Sequence, residues 1–171
     1  MSYQTFNQFL TGQFLVKIKE DLLSLRIFSK EDLKVITYYH ARRYFLTLPN
    51  WLVRAGINIK GRIIDLGVFY QSELKALIQC EWGIFLNQPN YFPEDKFNQS
   101  LRNLIETIEL LNKKPVGYLL TVYESTTKYY LPLLPEKNFY QWLAINITEF
   151  SEYQKWRKNF EDLASKFIDK I

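Results

Sequence analysis

The chain has one cysteine, one histidine and no acidic residue between Asp32 and Asp65. A single Cys80 excludes an internal disulfide and any cysteine-based zinc cluster, and its place inside a strand pattern suits a small buried side chain. A single His40 excludes a two-histidine metal site and any two-histidine mechanism. No apolar run reaches the roughly 18 residues of a membrane span. The opening MSYQTFNQFLTGQF has neither the basic start nor the apolar stretch of a secretion signal. The expectation is a cytoplasmic protein with no membrane partner. Also missing are a phosphate-binding glycine loop, a Gly-x-Ser-x-Gly elbow and a zinc motif, so kinase, serine-hydrolase and dinucleotide chemistry have no support.

What is present is ample core. With 171 residues, 47% apolar and 17% aromatic, the chain can bury one substantial interior as a single domain over residues 1–171. Charged residues make up 23%, an ordinary folded surface. The net charge of +4 is mild, but the stretch without acids collects Lys34, Arg42, Arg43, Arg54, Lys60 and Arg62. That concentration marks it as a candidate polyanion contact.

The order of elements follows from periodicity. Phe6, Phe9, Leu10, Phe14, Ile18, Leu22 and Leu25 recur at helical spacing, which predicts an N-terminal helical extension within residues 1–28, interruptible at Gly12. Ser29 followed by Glu31 and Asp32 predicts a capped helix running to about Leu48, before Pro49. WLVRAGINIKG and RIIDLGVFY read as consecutive strands, a turn falls at Gln71–Glu73, and LKALIQCEWGIF is a third strand. EDKFNQSLRNLIETIELLNKK carries one apolar stripe and reads as a helix ended by Pro115. VGYLLTVYES and KYYLPLL follow as strands, with Pro132 pointing to an edge position. Residues 136–171 read as a C-terminal helical segment, with Asn138 capping a short helix through Trp142 and a longer helix carrying Tyr153, Trp156, Phe160, Leu163 and Phe167. The sum is an α/β or α+β fold, a central mixed sheet flanked by helices.

One stretch carries candidate chemistry: GRIIDLGVFYQSELKALIQCEWG, residues 61–83. Asp65 lies midway along an apolar strand. Period two on the next strand turns Lys75, Leu77, Gln79 and Glu81 to one face and Ala76, Ile78, Cys80 and Trp82 to the other. This motif and element order resemble the PD-(D/E)xK, or restriction-endonuclease-like, nuclease superfamily, nearest to the N-terminal nuclease domains of type I restriction subunits. The resemblance spans about residues 30 to 130. It implies a restriction-endonuclease-like core, DNA as partner, Mg2+ as cofactor and a possible homodimer.

On that resemblance Asp65 matches the first carboxylate, Gln79 takes the Glu position and Glu81 the Lys position. Asp65 and Glu81 become the metal ligands, with Gln79 as a neutral oxygen donor beside them. The ammonium expected at position 81 has no direct replacement. Lys75 would be about 13 Å from Gln79 at strand rise, so Lys60 and Arg62 are the candidates for a migrated cation. Arg42, Arg43, Arg54 and His40 are the candidate nucleic-acid contacts, rings and cations interleaving in TYYHARRYF. The string Glu73-Leu-Lys75 also fits Glu-x-Lys, but a hairpin that short would put Glu73 in the turn. Two functions stay open: a metal-dependent DNA endonuclease with an altered site, or an inactive descendant that binds nucleic acid or a protein partner.

Overall fold

The computed structural model describes residues 7–127, 129 and 139–168. A π-helical turn, Leu10–Phe14, contains Gly12 and leads into helix α1, Leu15–Leu23; helix α2 is Lys30–Phe45. Strands β1 (Trp51–Ile59), β2 (Arg62–Tyr70) and β3 (Glu73–Gly83) follow, then helix α3 (Glu94–Glu109) and strand β4 (Val116–Tyr123). Strand β5 (Tyr140–Asn146), a short 3-10 turn (Ile147–Glu149) and helix α4 (Tyr153–Ile168) complete the described order.

The five strands form one mixed sheet in the order β1-β2-β3-β4-β5. The first three make an antiparallel meander, whereas β4 pairs parallel to β3 and β5 parallel to β4. Helix α3 supplies the crossover that a parallel pair requires. The α/β expectation of a central mixed sheet flanked by helices therefore holds.

Two apolar layers sandwich the sheet. On one side Phe14, Ile18, Leu33, Phe45 and Trp156 pack against Leu66, Val68, Ile78, Cys80 and Leu120. On the other, Phe97, Leu101, Leu104, Ile105 and Ile108 of α3 cover Leu77 and Leu119. Each of these fully buried large side chains contributes about 1.5–3 kcal/mol. Among the described residues no helix is long and apolar enough to cross a membrane.

The β1–β2 hairpin changes sides partway along. Val53 and Leu66 belong to the first layer, while Ile59 and Ile64 belong to the second. The crossing coincides with Gly56, whose positive φ of 62° suits a residue without a Cβ, and with a gap in the β1–β2 register between Ala55↔Leu66 and Ile57↔Ile64. Opposite that gap stands Asp65.

Several expected boundaries and one element differ. Helix α2 ends at Phe45 and α3 at Glu109, both short of the prolines expected to stop them. The short helix expected to run through Trp142 is instead strand β5. Its aromatic and β-branched residues, Tyr140, Trp142 and Ile145, sit well in a pleated parallel pairing with β4. The C-terminal segment is thus strand, turn and helix. Asn138, Phe167 and most of the expected strand KYYLPLL, with Pro132, lie outside the described residues and side chains.

Candidate functional site

The site begins as a fork in the sheet. The β2–β3 register starts at Leu66↔Ile78, so Arg62 to Ile64 pair only with β1, and Asp65 has no ladder partner in either register. Asp65 is the first residue past the split. Its Oδ2 accepts the Cys80 backbone N–H at 2.8 Å, replacing a ladder hydrogen bond with a carboxylate bond. A side chain pinned in this way is buried, 9% exposed. Burial pushes the Asp65 carboxyl above its ordinary range; the Cys80 amide, Lys30 and Lys34 pull back only in part.

Glu81 lies two residues further along β3, on the same face as Gln79. Its Oε1 accepts from Lys30 Nζ at 2.7 Å and from Ser100 Oγ at 2.5 Å. Lys96 Nζ stands 3.4 Å from Oε2, an ion-pair distance without hydrogen-bond geometry, because that ammonium donates instead to the Trp82 carbonyl at 2.9 Å. Lys34 Nζ reaches Asp65 Oδ1 at 3.5 Å and is shared with Glu31. Three ammonium groups thus face two buried carboxylates, and the exposed Glu31 balances the third cation.

Local sequence explains how the helices deliver these groups. Ser29 accepts the Asp32 N–H and Asp32 accepts the Phe28 N–H, which fixes where α2 begins. Lys30 consequently falls in the first helical turn, where the helix dipole disfavours a cation; its bond to Glu81 offsets that. Lys30 and Lys34 are four apart, as are Lys96 and Ser100, so each pair shares one helix face. Gly83 lets α3 approach β3, since a Cβ there would come within 2.8 Å of Phe97 and 2.9 Å of Pro93.

Two oxygens on this face of β3 make no hydrogen bond. Gln79 Oε1 and Glu81 Oε2 are buried without a hydrogen bond. Gln79 is 7% exposed and Glu81 2%. Buried acceptors are normally satisfied, so these two oxygens keep hydrogen-bonding capacity that the protein itself does not use. Oxygens of Asp65, Gln79 and Glu81 are hard donors of the kind Mg2+ prefers. Among the described residues no group of three or more His, Cys, Asp or Glu could hold a metal.

The other predicted residues divide. Asp65, Gln79 and Glu81 come to the fork. Arg62 is tied to α3, donating to Asn103 Oδ1 at 3.1 Å and pairing with Glu106 at 2.7 Å, and Lys60 lies exposed in the β1–β2 turn with Gly61. Arg42 and Arg54 share one hollow, whereas His40 and Arg43 line a different one. His40 Nε2 meets Asp21 Oδ2 at 2.6 Å, and Arg26 holds the other oxygen of that carboxylate. Glu73 sits at the β2–β3 turn bound to Lys75. Lys30, Lys96 and Ser100 escaped the sequence reading, and Lys34 entered it only as part of the basic stretch. Their one signal is the i, i+4 spacing on helices flanking the motif.

Comparisons with known proteins add little. No family model matches the chain, and no curated protein matches it. Among solved structures it is similar to a chain of the refined half-complex from a tetradecameric assembly of Thermococcus gammatolerans McrB AAA+ hexamers with bound McrC. That match has 12% identity over 78% of this chain, with a TM-score of 0.37. This chain spans 33% of that one's length. A likeness at this level carries no argument about fold or function.

Proposed function

We propose that the chain is a nuclease-fold protein of the PD-(D/E)xK type, a divalent-metal-dependent phosphodiesterase acting on DNA in the cytoplasm. The observation that supports this reading is that Asp65 binds the Cys80 amide, between Gln79 and Glu81 on β3, and that one buried oxygen of each of those two neighbours makes no hydrogen bond. A divalent ion held by these oxygens would supply Lewis-acid charge and an activated water. The chain's own groups do the positioning. Cys80 N–H fixes the rotamer of Asp65, and Ser100 fixes that of Glu81. The ammonium that Glu81 displaces from the motif is supplied from the helices, by Lys30 at 2.7 Å and Lys96 at 3.4 Å from Glu81. With side chains 30% and 44% exposed, both can turn an ammonium group towards a phosphate at the surface.

One observation favours a second reading. Lys30 already bonds Glu81, and a buried carboxylate neutralised by an internal ammonium has less need of a metal. On that reading the fold binds nucleic acid or a protein partner without cutting. Incubating plasmid with the protein and Mg2+ or Mn2+, beside Asp65→Ala, separates the two. Cleavage that Asp65→Ala loses by more than about a hundredfold supports the enzyme. Equal absence of nicking in both removes it.

A further inference from the structure

Two shallow hollows flank the start of β1. One, of about 520 Å3, is walled by Tyr38, Arg42, Phe45, Trp51 and Leu52; the other, of about 400 Å3, by Trp51, Leu52, Phe69 and Gln71; Arg54 lines both. No carboxylate lines either one. The Arg42 guanidinium lies 5.8 Å from the centre of the Tyr38 ring and donates to its hydroxyl at 3.1 Å. Arg54 stands 5.8 Å over Phe69. Neither arginine is ion-paired among the described residues, and both are exposed. Trp51 packs against Phe45 and Tyr70, with ring centres 4.9 and 5.0 Å away. Leu52 beside it is 46% exposed.

The hollows connect to the fork. Lys30, Lys34, Tyr38 and Arg42 follow one another at four-residue steps along α2, a continuous ridge on that helix. From Lys34, at Asp65, to Arg42 is about 12 Å along the axis. A stacked nucleic-acid strand advances about 3.4 Å per nucleotide, so this distance is roughly three to four steps. Flat apolar walls beside unpaired guanidinium groups suit a base stacked on a ring with its phosphate on the arginine. In a duplex the base faces are covered by their neighbours. An acidic peptide would satisfy the arginines and leave the aromatic walls bare.

We propose that the hollows at β1 bind an unpaired nucleotide segment roughly three to four nucleotides from the phosphate at the fork. The substrate is then a strand with a single-stranded portion, and Arg42 and Arg54 are its phosphate contacts. This rests on the DNA-directed reading above, but binding is measured without metal so that the two can fail separately.

The test uses the full chain in EDTA and a labelled oligothymidine of about twelve nucleotides, with a duplex of equal length and polyglutamate as competitors. The expected result is preference for the single strand, and a loss of about tenfold or more in affinity for Arg42→Glu and for Arg54→Glu with unchanged melting temperatures. Lys158→Glu, an exposed change of the same charge on α4, changes affinity by less than about twofold. A 2-aminopurine in the bound segment is quenched by stacking in wild type and less so in Arg54→Glu. Equal or tighter binding of duplex overturns the proposal, as does wild-type affinity in both arginine variants. Competition by polyglutamate as strong as by the oligonucleotide also overturns it, in favour of an acidic protein segment. Single-strand preference in a protein that never nicks plasmid supports it and removes the cleavage reading alone.

Discussion

Two buried carboxylates in this molecule make opposite use of their surroundings. Glu124, 1% exposed, has one oxygen on the Tyr153 hydroxyl and the other on Arg157 at 2.8 Å. Arg157 spends its remaining donors on Glu161 and on the Phe85 and Leu86 carbonyls, which ties α4 to the segment after β3. Every polar partner there is accounted for. Glu81, 2% exposed, also meets cations, but one of its oxygens and that of Gln79 stay without a hydrogen bond, and Asp65 nearby carries a raised carboxyl. A closed network of the first kind holds elements together. An open one of the second kind keeps capacity for something else at a cost in stability.

Substitutions can break or sharpen that contrast. The largest expected effect is Arg157→Ala, which strands Glu124 in the interior and should cost about 3–5 kcal/mol in denaturant unfolding. A cost below about 1 kcal/mol would show that the α4 network is not structural. Asp65→Asn should act in the other direction, with a melting temperature at neutral pH equal to or above wild type while any cleavage is lost.

The sign follows from the raised carboxyl. The folded state holds the Asp65 proton more tightly than the unfolded state does, so this group favours folding below its ordinary value of 3.8. That contribution is lost as pH rises through the window between 3.8 and the higher folded value. The advantage of the Asp65→Asn variant is therefore full at neutral pH and shrinks as pH falls through that window. Thermal melts of both proteins across the acid range check it, and a variant that melts well below wild type at neutral pH would erase the distinction between the two carboxylate sites. The smallest change in stability is expected of Gln79→Glu. It adds a charge to the oxygen set and should tighten Mn2+ binding by about tenfold in calorimetry; unchanged or weaker binding would argue that Gln79 does not face the ion.

The sequence was most legible where periodicity and short range coincide. Asp65, Gln79 and Glu81 could be placed together because a tight turn and a period of two fix their faces, and the meander and the crossover helix follow from alternation and length. The same reasoning could not see Lys30 or Lys96. Nothing local says that the first turn of α2 will dock against β3, and helix-to-sheet docking is decided by packing over the whole core. Lys60 and Arg62 looked closer to the motif in the chain, but the hairpin ties Arg62 to α3 and leaves Lys60 exposed in its turn. Strand β5 was misread because its onset sits beside Asn138, a good helix cap, while its pairing partner β4 lies more than a dozen residues away. His40 was grouped with the arginines by adjacency, although a helix turns neighbours to different faces and its ring faces Asp21.

The split between β2 and β3 has a consequence for how the protein would report on its own occupancy. One oxygen of Asp65 latches the Cys80 amide, while the other faces the ammonium of Lys34. Anything that moves this carboxylate works the latch, so solvent access to a single peptide group deep in the sheet is coupled to the position of one side chain.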